Sequence, residues 1–118
     1  MNKLFIRLLK VRGLSPAFLK PKYEDLSDPF SLKDMDKAIS RIKKAILNHE
    51  KVLIYGDYDV DGVTASVVLE QALILAGLAP ENLKIMLPDR FADGYGMSPR
   101  LIKKAKDTVT LVITVDCG

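Results

Sequence analysis

Aspartates follow two of the most apolar runs in the chain, and such carboxylates could bind a divalent metal ion. Asp57, Asp59 and Asp61 come after a short run that ends at Tyr55, and Asp116 follows another. Carboxylates that gather within a few ångströms raise each other's pKa and oppose folding unless a cation neutralises them. All-oxygen ligand sets favour hard ions such as Mg²⁺ or Mn²⁺ over zinc. The pattern therefore predicts a metal site if folding brings the two segments together.

The spacing within the first group supports a shared site. In an extended loop, D-x-D-x-D places alternate side chains on one side, so the carboxylates of Asp57, Asp59 and Asp61 can reach one ion. Gly56 and Gly62 flank these acids and allow the backbone to turn tightly around them. The loop is therefore our first candidate for the functional site.

Three other interpretations of this motif are open. An EF-hand calcium loop starts similarly, but it needs a glutamate at its twelfth position, which is Val68 here, and a helix before it. The nucleophile motif of haloacid-dehalogenase-like phosphatases is also similar, but its first aspartate follows the strand directly, whereas Gly56-Asp57-Tyr58 intervenes here. A solvated acidic turn is the third. The position of these acids between a buried strand and a buried helix argues against a solvated turn.

A second glycine-rich loop, residues 88–96, could contact a phosphate. It follows the second predicted strand, so we expect it at the same edge of the sheet as the acids. Arg90 offers a planar fork suited to phosphate, and Tyr95 offers a ring and a hydroxyl. Gly94 and Gly96 allow left-handed turns and a close approach of the backbone to a ligand. A simple surface turn with one arginine is the alternative.

Two other reactive residue types receive no catalytic role. His49 lies at the end of the first predicted helix, on the far side of the strand from the acids, where it can interact with the helix dipole. Cys117 is the one cysteine of the chain, and no partner base lies near it in sequence. A single cysteine also excludes an intrachain disulfide and a cysteine-built zinc site.

The elements that must position these loops alternate along the chain. A helix is predicted from Ser31 to about Asn48, followed by strands at 52–55, 83–87 and 110–115 and helices at 63–76 and 98–106. Strands this apolar, separated by helices, indicate a parallel sheet with helices on both faces. In open α/β sheets, ligands bind beyond the carboxyl ends of the strands. If the first strand is central and the third lies beside it, the four aspartates converge.

The predicted fold class is therefore α/β, with an open parallel sheet of at least three strands and flanking helices. Gly13, Pro16, Pro21 and Pro29 predict an irregular N-terminal arm before the first helix. We expect residues 1–50, the arm and this helix, to pack on a body that begins at residue 51.

Length, composition and charge limit the possible functions. The chain has 118 residues, of which 48% are hydrophobic and 28% charged, so it is long enough for one domain with a core. No run approaches the ~18 apolar residues of a membrane span, and we expect a cytoplasmic protein without membrane contact. Residues 1–51 hold 12 Lys/Arg against 6 Asp/Glu, and residues 52–118 hold 6 against 9. The basic half could attract a polyanion, although a solvated lysine-rich face gives the same balance.

These motifs together resemble the DHH phosphoesterase superfamily, and within it the single-stranded-DNA-specific exonucleases. The resemblance runs along nearly the whole chain, and its most specific segments are GDYDVDG, PDRFADGYG and TVDCG, in that order. It implies a Rossmann-like DHH domain of which residues 51–118 are the N-terminal part. It also implies that Asp59 and Asp61 are metal ligands with Asp57 beside them, and that Asp116 bridges two metals.

The activity implied by the resemblance is a metal-dependent 5′→3′ exonuclease that releases 5′-mononucleotides from single-stranded DNA in DNA repair and recombination. Two Mn²⁺ or Mg²⁺ ions, about 3.5–4 Å apart, would activate a water and stabilise the leaving oxygen. Arg90 and the Gly94–Gly96 segment would contact the phosphate or the strand. Single-stranded DNA is the implied partner, with DNA-repair or replication proteins as further partners.

The Asp-His-His motif that names the superfamily does not occur in these 118 residues. We therefore expect the chain to be the N-terminal part of a longer enzyme and to be inactive alone. Two alternatives stay open. One is a phosphodiesterase for oligonucleotides or cyclic dinucleotides; such relatives usually carry a histidine in the first motif, where Tyr55-Gly56-Asp57 has none. The other is a non-catalytic nucleic-acid-binding homologue, which the intact set of acids disfavours.

Overall fold

The structure, a computed structural model that describes residues 2–117, contains a sheet of three parallel strands. Strand β1 (Val52–Tyr55) lies between β2 (Leu83–Met86) and β3 (Leu111–Thr114), in register from the first residue of each strand. The predicted α/β class is confirmed, and the first strand is central with the third beside it, which is the condition under which the four aspartates were expected to converge. Met1 and Gly118, the outer limits of the two predicted segments, lie outside the described residues.

The central strand is buried along its whole length. On one face, Val52 and Ile54 pack in a cluster with Ala45 of α2 (Met35–Leu47) and Leu73 of α3 (Val60–Leu75). Side chains alternate along a strand, so Leu53 and Tyr55 face the other side. That side carries α4 (Pro99–Ala105), because the Tyr55 hydroxyl reaches the backbone of Ser98 just before it.

Helices cover the edge strand β3 less completely than predicted. Val112 and Thr114 pair with Leu53 and Tyr55, so they lie on the face that carries α4. Both are exposed, Val112 by 38%. The helical cover predicted on both faces of the sheet therefore does not extend to β3 on this face within residues 2–117.

The first predicted helix begins later than expected. Its predicted first residue, Ser31, ends a short 3₁₀ turn, in which Asp28 accepts a hydrogen bond from the Phe30 N–H. Asp34 then adopts a positive φ of 58°, which no helix interior allows. The helix therefore starts at Met35.

The prediction of a wholly irregular arm was wrong for its first residues. Helix α1 (Lys3–Val11) is capped by Asn2, whose side chain accepts from the Leu4 N–H. The residues that break helices, Gly13 and the three prolines, all follow Val11, so they end this helix and do not prevent it. The chain divides into two compact units between Met35 and Asp36. None of the helices in residues 2–117 is long and apolar enough to cross a bilayer.

Candidate metal centre

The loop between β1 and α3 is closed so tightly that two of its residues must be glycine. A Cβ on Gly62 would lie 2.5–2.7 Å from three backbone atoms of Asp57, and a Cβ on Gly56 would lie 2.2 Å from the Ser66 hydroxyl oxygen. Neither glycine has a positive φ, so it is space and not backbone conformation that requires them. The backbone of Asp57 therefore packs directly on the first turn of α3.

The three carboxylates of this loop have different environments. Asp57 is only 2% exposed, and its Oδ1 accepts from the Tyr58 N–H at 2.8 Å. Asp59 caps α3, because its Oδ1 accepts from the Gly62 N–H at 2.9 Å. Asp61 is exposed in the first helical turn, where the helix dipole favours a negative charge. The capping role of Asp59 was missed, although an aspartate just before an apolar helix is a common cap signal.

Asp116 joins this group from the end of β3. Partial desolvation raises the pKa of Asp116 above its ordinary value, and the negative charges of Asp59, Asp61 and Asp57 add to the effect in that order. Its φ of 54° lies in the left-handed region, which aspartate tolerates better than most residues. The structure thus brings all four predicted aspartates together beyond the carboxyl ends of β1 and β3.

The donor chemistry of the four aspartates suits a hard divalent cation, because it consists of carboxylate oxygens only. Within residues 2–117, however, no three Asp, Glu, His or Cys side chains are arranged so that they could hold one ion together. Asp57 and Asp59 also each accept a backbone hydrogen bond. A full ligand set therefore needs an additional ligand or a rotation of these carboxylates.

Asp93 organises the second loop. Its side chain is 2% exposed, forms a bidentate pair with Arg100 at 2.7 Å, and accepts from the Ser98 hydroxyl at 2.8 Å. The hydrogen bond from the Asp89 N–H is the largest cause that lowers the pKa of Asp93, and Arg100 and Ser98 add to it. Ser98 stands just before α4 as predicted, but its hydroxyl bonds Asp93 and not the helix.

Only some of the predicted phosphate-contact residues lie close to the acidic segments. The guanidinium of Arg90 lies 5.7 Å from the centre of the Tyr58 ring, a cation–π contact that links the second loop to the acidic loop. A Cβ on Gly96 would lie 3.9 Å from the Cys117 carbonyl oxygen, so Gly96 lies beside the segment of Asp116. Gly94 stands in open space, and Tyr95 is 69% exposed. Gly94 and Gly96 have φ values of 74° and 82°, as their predicted left-handed turns require.

Sequence reasoning missed Tyr55, which joins both loops. It is fully buried, and its hydroxyl accepts from the Ser98 N–H at 2.9 Å and donates to the Gly96 carbonyl at 3.2 Å. Its backbone carbonyl accepts from the Val115 N–H at 3.0 Å. A signal was available, because a buried tyrosine needs a hydrogen-bond partner for its hydroxyl. The identity of that partner could not be read from local sequence.

The two residues that were given no catalytic role keep structural ones. His49 lies in the turn after α2 with a φ of 53°, and its carbonyl accepts from the Asn82 amide at 3.3 Å. The Cys117 thiol lies 3.2 Å from the Val115 carbonyl, and desolvation raises the pKa of this thiol. A raised pKa disfavours the thiolate that a cysteine nucleophile requires.

The crowding of carboxylates predicts that Asp116→Asn stabilises the metal-free chain at neutral pH. Because the pKa of Asp116 is raised by folding, the folded state binds a proton more readily than the unfolded state, and stability falls as pH rises through that window. Asparagine keeps the shape, tolerates the left-handed backbone and removes the charge. We expect a Tm increase of a few degrees at pH 7 that disappears in acid.

The matched control for this change is Asp107→Asn, at an exposed carboxylate in the turn after α4. Thermal unfolding of both variants in chelator, followed by circular dichroism across pH, makes the comparison. An Asp116→Asn chain that melts below the unmodified chain at pH 7 would contradict carboxylate crowding.

Comparison with known proteins supplies the context for this site. Residues 51–118 match the DHH family, N-terminal domain. The chain is 40% identical to the single-stranded-DNA-specific exonuclease RecJ of Bacillus subtilis over 100% of its own length, and 33% identical to RecJ of Salmonella typhimurium over 98%. It spans only 15% and 20% of these relatives. A crystal structure of exonuclease RecJ bound to manganese superimposes with a TM-score of 0.67 at 29% identity, covering 74% of this chain and 22% of that one.

Proposed function

The chain belongs to the DHH family, and on this basis we propose that it supplies carboxylate ligands to the metal site of a single-stranded-DNA-specific exonuclease. The observation that carries the proposal is the convergence of Asp57, Asp59, Asp61 and Asp116 beyond the ends of neighbouring parallel strands, close enough that three of them raise the pKa of the fourth. The exonuclease names of the relatives support the substrate class.

The finer features of the activity are part of the same proposal. The ion is Mn²⁺ or Mg²⁺, a choice supported by the all-oxygen donor set and by the manganese-bound structure of the RecJ neighbour. The reaction proceeds 5′→3′, releases 5′-mononucleotides and serves DNA repair and recombination in the cytoplasm, alongside repair or replication proteins. The superfamily resemblance supports these features.

Each side chain has a distinct part in this scheme. Asp59, Asp61 and Asp116 would hold the ions, with Asp57 fixed beneath them by burial and by the Tyr58 N–H. When bound, a divalent cation supplies Lewis-acid stabilisation of the negative charge that develops on the phosphate. Arg90 would contact the phosphate, because Tyr58 holds its guanidinium over the acidic loop and it can offer a planar fork.

A hybrid protein tests the proposal, since the relatives are much longer than this chain. In the hybrid, this chain replaces the matching segment of the Bacillus subtilis relative, and the unmodified relative is the positive control. We expect digestion of 5′-labelled single strands and no digestion of duplexes. A hybrid with normal circular dichroism that leaves single strands uncut would contradict the proposed function. Cleavage of cyclic dinucleotides only, or DNA binding without cleavage, would favour the alternatives.

Removal of the metal is expected to stop the hybrid reaction. Without a cation, four carboxylates present only repulsion to a phosphodiester, so the rate should fall by at least about 1000-fold in chelator. Adding back Mn²⁺ or Mg²⁺ should restore the rate, while Ca²⁺, with its looser coordination, should restore little. Mononucleotide release measured by chromatography gives the rates. Undiminished cleavage in chelator would exclude the carboxylates as metal ligands.

A further inference from the structure

The second loop, taken here up to Ser98 as residues 88–98, is joined to the sheet by very few hydrogen bonds. Among the hydrogen bonds described for residues 2–117, those that link this loop to a strand are the two made by the Tyr55 hydroxyl. The other bonds of the loop are internal or lead to α4, and they involve mainly Asp89 and Asp93 as acceptors, with Ser98 and Arg100 as donors. The loop is therefore a locally organised unit with one polar attachment to the sheet.

Tyr55 occupies a position from which it can align that unit with the acids. It is the last residue of β1, two residues before Asp57, and its backbone carbonyl accepts from the Val115 N–H next to Asp116. Its hydroxyl meets the loop at Gly96 and Ser98. Because its ring is fully buried in the sheet, the hydroxyl is a fixed point relative to the carboxylates.

We propose that Tyr55 is a positioning residue for the DNA strand: its hydroxyl fixes the 88–98 loop beside the carboxylate site, so that Arg90 and the Gly94–Gly96 backbone meet the phosphates in register with the metal. This inference rests on the proposed function for its DNA part. Tyr55 does not touch the reacting atoms. It acts through the loop, so its loss should weaken substrate binding more than the chemical step.

Hydrogen exchange of the full 118-residue chain tests the attachment without any assay of activity. In Tyr55→Phe the Ser98 N–H loses its acceptor, and we expect it to exchange at least about tenfold faster. The Gly56 and Val115 N–H groups donate to backbone carbonyls, so they should keep their protection. Tyr23→Phe, at a tyrosine that is 85% exposed, is the matched control. Unchanged exchange at Ser98 would overturn the proposal, and so would equal acceleration at all three sites.

Steady-state kinetics of the hybrid protein test the consequence for DNA. We expect Tyr55→Phe to raise KM for single-stranded DNA about tenfold and to change kcat less than about twofold. A merely structural role would lower the active fraction, so kcat and Tm would fall together while KM stayed constant. That result would overturn the positioning role.

A second variant covers the case in which Tyr55→Phe does not fold. Arg100→Met removes the bidentate pair of Asp93 from a side chain that is 52% exposed, so the core is untouched. It should loosen the same loop and raise KM in the same way, and an unchanged KM would count against control of binding by this loop. If the unmodified hybrid folds but does not cleave, the proposed function fails. The hydrogen-exchange rate of the Ser98 N–H then tests, without any activity, whether Tyr55 attaches the loop to the sheet.

Discussion

Asp61→Asn in the hybrid protein is expected to lower cleavage of single-stranded DNA by at least about 1000-fold with little change in Tm, because the side chain serves the metal and not the fold. Asp61 is exposed, and its negative charge is one of those that raise the pKa of Asp116, so these two carboxylates repel each other. Loss of its favourable position in the first turn of α3 is offset by relief of that repulsion. Cleavage rates with Mn²⁺ and Mg²⁺ measure the loss of activity, and thermal unfolding measures the change in Tm. A rate near that of the unmodified hybrid would remove Asp61 from the ligand set.

Asp59 allows metal binding and helix capping to be separated. Alanine at this position removes both the carboxylate and the cap on the Gly62 N–H, and the lost cap alone costs about 1 kcal/mol of unfolding free energy. Asparagine caps a helix as well as aspartate but is a poorer ligand for a hard cation. We expect Asp59→Ala and Asp59→Asn to be equally inactive while only the alanine variant is less stable.

The largest effect on stability is expected from Gly62→Ala, which should cost about 3 kcal/mol or more of unfolding free energy. The new Cβ would lie 2.5 Å from the Asp57 carbonyl oxygen and 2.6 Å from its nitrogen. Backbone atoms that end a buried strand cannot move aside as a flexible side chain could. The loop must therefore open, and that would also displace the buried Asp57 carboxylate. Urea unfolding of the 118-residue chain measures the loss.

Gly13→Ala provides the matched control for this substitution. Gly13 has a φ of 65°, and no heavy atom lies within 4 Å of the place that a Cβ would occupy, so alanine there meets strain but no clash. Its expected cost is about 1–2 kcal/mol. Similar losses for the two variants would mean that the contact between Gly62 and Asp57 relaxes easily.

Local patterns were sufficient to predict the sheet. The apolar run at Val52–Tyr55 has the length and composition of a buried strand, and Gly77, with a φ of 103°, stands directly after the predicted helix 63–76. The central place of β1 was only a condition of the sequence argument, under which acids at two strand ends share one site. Such features depend on residues close in sequence or on a single chemical requirement, so they can be inferred from one sequence without a structure.

Features that depend on distant partners could not be predicted. The hydroxyl of Tyr55 bonds residues 41 and 43 positions away, and the Arg90–Tyr58 contact also joins separate loops. Helix α1 was missed for a different reason. The prolines of the arm and Gly13 argue against a long helix there, but all of them lie after the nine residues of α1. The exposure of Val112 and Thr114 on β3 depends on tertiary packing, which no periodicity reveals.

The strand order β2-β1-β3 also affects how the chain is made on the ribosome. The central strand is synthesised first, and both of its neighbours come later in the chain. At about 5–20 residues per second, β3 follows β1 only after several seconds of translation. Until β2 has been made both edges of this fully buried strand are unpaired, and until β3 has been made one edge still is; such edges can pair with other nascent chains. Slower translation between residues 55 and 111 would lengthen this exposure, so codon choice in that stretch should influence the yield of folded protein.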